Sequence, residues 1–175
     1  VLGLSREVID RLEMSGGKLR IGKGEERYLI LPARFFGAVY ESVRRLVGSG
    51  VSGLLYYVGK EVGKGLLEEI RYRLETKGIT GPEGTARELF SFLSDLGFGK
   101  VELVSISEGE AVVRIHESPT SSTLSKCEGP SCHLERGLLA GAAEAFFNVR
   151  CVAKEVKCRC LGHPYCEFVI SWGSE

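Results

Sequence analysis

All six cysteines of the chain fall between residues 127 and 166, and the first 126 residues contain none. Cysteine behaves as a small hydrophobe that any core accepts, so burial alone gives no reason for it to gather in one stretch. Two local causes would: thiolates collected around a metal ion, or disulfides closing a local framework. Composition bears on the choice. There is no Gln, one Asn (Asn148) and two Asp (Asp10, Asp95) beside abundant Glu, Lys and Arg, a skew away from thermolabile amides that suggests a thermophilic source. In a reducing cytosol metal is the first candidate, although intracellular proteins of hyperthermophiles do form disulfides.

With 175 residues, 43% of them hydrophobic, the chain has the apolar mass of one compact domain, and a single domain over 1–175 is expected. No apolar run approaches the roughly 20 residues needed to span a bilayer, and residues 1–20 mix charges with leucines, so a cytoplasmic protein without a membrane span is expected. Basic and acidic residues balance at 23 each, with no Lys/Arg stripe, which disfavours direct nucleic-acid binding.

Periodicity divides the chain. Residues 17–31 alternate apolar and polar positions (Leu19, Ile21, Leu29, Leu31) about Gly22-Lys23-Gly24, the pattern of a hairpin. Pro32 then opens a helix with apolar residues at three- and four-residue steps to Val47, stopped by Gly48 to Gly50. A longer helix is expected over 51–76 and a third over about 82–96. Gly59 and Gly63 lie on the apolar face of the longer helix, where glycine costs about 1 kcal/mol against alanine, so either another element or a ligand comes close there or the glycines are merely tolerated. A second hairpin turns at 108–110. Residues 117–131, rich in Ser, Thr and Pro and without periodicity, are expected to form a surface loop. A helix from Cys132 to about Phe147 and a hairpin over 151–158 and 165–172 complete the order. Helices grouped between antiparallel hairpins give an α+β class, an antiparallel sheet packed against about four helices.

Zinc takes thiolate, imidazole and carboxylate ligands in a tetrahedron. The last hairpin and the helix before it offer two sets. Cys158, Cys160, His163 and Cys166 are compact, and 158 and 160 share a face of a regular strand. Glu155, Cys158 and Cys166 with Cys132 form the other, in which 155 and 158 point to opposite faces unless the strand is bulged or ends there. Spacing leaves both open.

The stretch from Cys132 to Trp172 carries a Cys opening a glycine-containing helix (Cys132, Gly137, Gly141), then Glu155-x-x-Cys158, then Cys158-x3-Gly162-x3-Cys166-Glu-Phe168. It resembles the C-terminal part of the 4-vinyl reductase domain family. That resemblance implies the zinc set Cys132, Glu155, Cys158 and Cys166, in a subsite over 132–168. It also implies a fold of the NO-signalling and Golgi-transport ligand-binding kind, related to vesicle-tethering TRAPP subunits, and a small hydrophobic or aromatic ligand. Candidate pocket residues are Phe35, Phe36, Tyr56, Tyr57, Phe90 and Phe146, although the same rings serve equally as core. Ala153 stands two residues before Glu155, where a phenol-sensing member is expected to carry an aromatic residue.

A site with four protein ligands leaves no position for water or substrate. No Walker loop, nucleophile elbow or dinucleotide fingerprint is present in the sequence. The expectation is therefore a zinc-stabilised sensor or carrier domain without turnover, a homodimer through the helices after the first hairpin, and a separate regulatory partner protein for output. Two alternatives stand beside it: a reductase or auxiliary subunit acting on a tetrapyrrole vinyl group, and a dimeric scaffold with a lipid-accepting channel. The roles of Cys127, Cys151, Cys160 and His163 stay open, with a disulfide from Cys127 to Cys160 or Cys151 among the readings.

Overall fold

The structure, a computed structural model, describes residues 8–22 and 26–173. The helices follow the apolar periodicity: α1 (Arg34–Val47), α2 (Val51–Lys77), α3 (Pro82–Asp95) and α5 (His133–Phe147), with a short α4 (Pro119–Thr123) before the last. A glycine in the left-handed region, Gly78 at φ 62°, ends α2 as its position past the last periodic residue anticipates. Strands β3 (Lys100–Ser107), β4 (Glu110–His116), β5 (Cys151–Lys157) and β6 (Cys166–Trp172) form one antiparallel sheet in the order β3-β4-β6-β5. The class is α+β.

The first hairpin differs from its sequence pattern. Strands β1 (Leu12–Ser15) and β2 (Lys18–Ile21) pair across Gly16 and Gly17, both at positive φ, so the tight turn falls there rather than at Gly22. Lys23 and Gly24 lie outside the described residues. Leu29 and Leu31 are not in a strand; the segment touches the hairpin through one bridge, Leu19 to Tyr28, and then runs exposed.

The glycines of the longer helix acquire a physical reason at the contact between α2 and α5. A Cβ added to Gly59 or Gly63 would run into the carbonyl oxygens of Leu134 or Leu138, and one added to Gly137 or Gly141 into those of Tyr56 or Lys60. The two helices therefore meet backbone to backbone along reciprocal Gly-x3-Gly rows. The close approach at Gly59 and Gly63 is made by another element.

Helix α5 then lies on β5 and β6 and buries Leu138, Leu139, Ala140 and Ala142 against inward residues of the sheet, Val113, Phe168 and Ile170, all in one core. Helix α3 adds Leu89, Phe90 and Leu93 beside β3. An ion-pair network of Arg73 with Glu88 and Asp95, and Lys77 with Glu88, ties α2 to α3. No helix among the described residues is long and apolar enough to cross a membrane.

Candidate metal centre

Four donors from three elements converge at the N-terminal end of α5. Cys132 is the residue before the helix, Glu155 lies on β5, Cys158 follows that strand and Cys166 opens β6. Their donor atoms all lie within 4.8 Å of one another. Cys132, Cys158 and Cys166 are fully buried and Glu155 nearly so. A regular strand would send 155 and 158 to opposite faces. Here the register of β5 against β6 shifts between Glu155 and Lys157 and the strand ends at Lys157, so Cys158 turns back to the side of Glu155. A 3-10 turn over Arg159–Leu161, closed by Gly162 at φ 93°, then returns the chain to Cys166.

The electrostatics of this cluster are those of a group that could hold a cation. One oxygen of Glu155 accepts the Cys132 backbone N–H at 2.9 Å, while Oε1 is buried without a partner. Burial, then the neighbouring Cys158, push the Glu155 carboxyl up to about 9. Burial likewise raises the Cys132 thiol, whereas hydrogen bonds from the Cys132 and Cys166 thiols pull Cys158 down. Three sulfurs and a carboxylate thus crowd so closely that protons stand in for positive charge. The Cys132 and Cys166 sulfurs are 3.5 Å apart, near the edge of about 3.8 Å that a tetrahedron with metal–sulfur bonds of ~2.3 Å requires. The donor set and its orphaned oxygen fit a thiophilic divalent ion.

A layer of hydroxyls encloses the sulfurs. Ser118 donates to the Cys132 sulfur at 3.3 Å, Ser121 lies 3.2 Å from that of Cys166, and Ser131 lies 3.5 Å from that of Cys158. The Arg159 backbone N–H reaches Cys166 at 3.3 Å. Residues 117–131 thus depart from the surface loop expected of their composition only at 118–121 and 131; 122–130 remain at least partly exposed, and 124–130 form no helix or strand. Ser118, Thr120, Ser121 and Ser131 are buried, because Glu135, itself buried one turn into α5, accepts from Ser118 Oγ at 3.0 Å, Thr120 N at 2.8 Å and Thr120 Oγ1 at 3.0 Å. Sequence reasoning passes over Glu135 and the serines; the available signal is a Ser/Thr-rich run directly before a candidate ligand and a Glu three residues after it.

Cys127 and Cys160 form a disulfide with Cα atoms 5.7 Å apart. That removes Cys160 from the compact ligand set, and His163 lies exposed on the turn, so the four donors brought together are the set implied by the family resemblance. Cys151 is a free, buried thiol whose Sγ donates to the Val149 carbonyl at 3.3 Å, away from the cluster.

The candidate pocket residues occupy several places. Phe90 and Phe146 line one apolar cavity of about 50 Å³ between the sheet and helices α2, α3 and α5, with Ala111, Ala142 and Ile170. Phe36 stands edge-on to Phe35 and to Phe98 and borders a groove of about 370 Å³ beneath the first hairpin. Tyr56 lies under the Arg136 guanidinium at 4.7 Å, and Tyr57 faces out from α2, 66% exposed. Ala153 is buried on β5.

A four-stranded antiparallel sheet backed by helices, with a thiol–carboxylate knuckle joining its last two strands to a glycine-rich helix, defines the class. The profile of the 4-vinyl reductase domain matches residues 111–171. An uncharacterised protein of Methanocaldococcus jannaschii is 31% identical over 131 residues, which span 75% of this chain and 71% of that protein. The chain belongs to the 4-vinyl reductase domain family. In solved structures the fold is similar to the phenol-responsive sensory domain of the transcription activator PoxR with phenol (TM-score 0.79, 17% identity, 94% of this chain and 86% of that one). It is also similar to a trafficking protein particle complex subunit 3 from Naegleria fowleri covalently bound to palmitic acid (TM-score 0.62, 16% identity, 81% and 95%).

Proposed function

We propose that this chain is a zinc-stabilised domain that binds a small hydrophobic molecule in the cytoplasm, as a sensor or carrier without turnover. The observation that carries the reading is Glu155 Oε1, buried and unpartnered among three sulfurs whose donor atoms converge within 4.8 Å. Zinc bound there would supply charge neutralisation and a cross-link between α5 and the β5–β6 turn. With four protein donors it would have no open position for a reacting water.

Small-molecule binding is supported by the apolar cavity between helices and sheet and by fold relatives described with phenol and with palmitic acid. At about 50 Å³ the cavity is far below the ~300 Å³ at which ligand pockets usually begin, so entry would require α3 or the end of α5 to give way. Ala153 offers no ring to stack on a phenol, which favours an aliphatic or other compact apolar ligand.

Self-association belongs to the same proposal. The outer face of α2 exposes Leu54, Tyr57, Val58 and Val62, flanked by Gly53 and Gly65, at which an added Cβ would meet nothing. Its proposed occupant is a second copy, whose identical apolar face could pack closely where the flanking glycines leave room. Output then passes to a separate regulatory protein.

Metal content by native mass spectrometry tests the central claim on protein purified without added metal. One zinc per chain is expected in the wild type and in His163→Ala, with weakened retention in Glu155→Gln. Folded wild type without metal would overturn it.

A further inference from the structure

The three cysteines of the cluster each have one serine. Ser118 faces Cys132, Ser121 faces Cys166 and Ser131 faces Cys158, at 3.3, 3.2 and 3.5 Å. All three serines are at most 2% exposed. Ser118 and Ser121 stand three apart on one face at the start of α4, whereas Ser131 lies ten residues further on, directly before Cys132, so a single helical face does not account for all three matches.

The chemistry explains why such a match is useful. Three thiolates and a carboxylate bring four negative charges to one divalent ion, leaving about two uncompensated charges inside a core that excludes water. Hydrogen bonds to charged acceptors are among the stronger ones available, and outer donors of this kind tune how firmly a metal is held. Cys166 receives a further N–H from Arg159.

Glu135 keeps the donors aimed. A hydroxyl carries one proton, and Ser118 Oγ lies between Cys132 Sγ and Glu135 Oε1. Thr120 already gives that carboxylate two donors, its N–H at 2.8 Å and its hydroxyl at 3.0 Å. The Ser118 proton is therefore free to turn to the sulfur once it is a thiolate. The Cys127–Cys160 disulfide and the Arg159–Glu117 ion pair fasten the same segment over the turn that carries Cys158.

We propose that Ser118, Ser121 and Ser131 are positioning residues of the metal centre, each donating to one thiolate, and that Glu135 holds Ser118 and the turn bearing Ser121 in register. The proposal rests on the metal reading above and extends it to the residues that set metal retention. It makes the serine-rich run a functional part of the site.

The test uses the full chain loaded with cobalt(II), whose sulfur-to-metal charge-transfer band reports the electron density on the thiolates. Ser118→Ala, Ser121→Ala and Ser131→Ala are each expected to move that band to lower energy and to weaken cobalt retention about tenfold against a chromophoric chelator. Ser122→Ala is the control, because its hydroxyl bonds the Pro119 carbonyl in the same segment and has no sulfur partner. It should keep the wild-type band. Should one alanine variant fail to fold by circular dichroism, the other two sites carry the test. Folded variants with the wild-type band and retention, or an equal shift in Ser122→Ala, would overturn the serine roles alone. A wild type that takes up no cobalt would overturn the metal reading and this proposal with it.

Discussion

The two ends of helix α5 are built on opposite principles. At its N-terminal end, Cys132 joins Glu155, Cys158 and Cys166 in a buried cluster whose donor atoms have directed partners, except for one carboxylate oxygen. At the C-terminal end, Ala142, Ala143, Phe146 and Phe147 meet the sheet through apolar surface and leave a small empty volume. The first end is specified by direction, the second by volume. Directional sites lose function when one atom is removed, whereas volume-defined sites tolerate exchange of side chains and shift by degrees. The middle of the helix, zipped to α2 by glycines, keeps the two ends in a fixed relation.

The largest expected effect lowers global stability and adds local opening at the directional end. The Cys127–Cys160 bridge closes a loop with a sequence separation of 33, for which the chain-entropy account gives about 4 kcal/mol. Reduction by a dithiol, or a Cys127→Ser, Cys160→Ser double variant, should lower the urea midpoint accordingly and speed amide exchange in residues 117–131. Amides of α3 and β3 should speed only by the factor that the lost global stability sets, less than those of 117–131. An unchanged midpoint would mean that the bridge adds no stability, and exchange that rises equally at both ends that the two ends are not separable.

The next effect reaches both ends at once. Gly63→Ala would drive a Cβ into the Leu138 carbonyl and the Ala142 backbone, which no rotamer can relieve. Helix propensity returns about 1 kcal/mol, so a net loss of about 2 kcal/mol is expected in denaturant unfolding. Both metal retention and the C-terminal cavity should change in that variant. If only one of them does, α5 is not the rigid link described above.

How far each part is legible in the sequence follows from the same distinction. The helices and the sheet hairpins are legible because apolar residues recur along them, and α2 and α3 end close to where glycine or proline spacing places their limits. The first hairpin is misplaced because Gly16-Gly17 and Gly22 offer competing turns, and the flanking strands are too short and exposed for burial to choose between registers. The four converging donors are reached through a motif, since spacing alone leaves Cys160 and His163 in contention. What separates the sets is a bulge at the end of β5 and a disulfide, both of which depend on tertiary placement. Ser118, Ser121 and Ser131 are illegible for a related reason: each faces a different sulfur, and the one local period among them, the three-residue step from 118 to 121, lies in a helix too short to show as a pattern. Ring chemistry, finally, gives Phe35, Phe36, Tyr56 and Tyr57 no mark that distinguishes groove, helix seam or solvent from the cavity that Phe90 and Phe146 share.

The smallest effect sharpens the volume-defined end. Ala111 is buried on β4 and lines the cavity, so Ala111→Val adds two carbons into existing space at a strand position where a β-branched residue fits well. Filling is expected to stabilise the fold by about 1 kcal/mol, read as a higher melting temperature. It should leave metal content unchanged and weaken the thermal shift given by a small apolar probe such as cyclohexanol. A destabilised variant would show that the inward wall is already close-packed, and an undiminished probe response would move the ligand site away from this cavity, to the groove bordered by Phe36 and Phe98. Because Ala111 touches neither the thiols nor the serine segment, any change in metal retention would break the separation between the two ends of α5 from the side where the comparison predicts none.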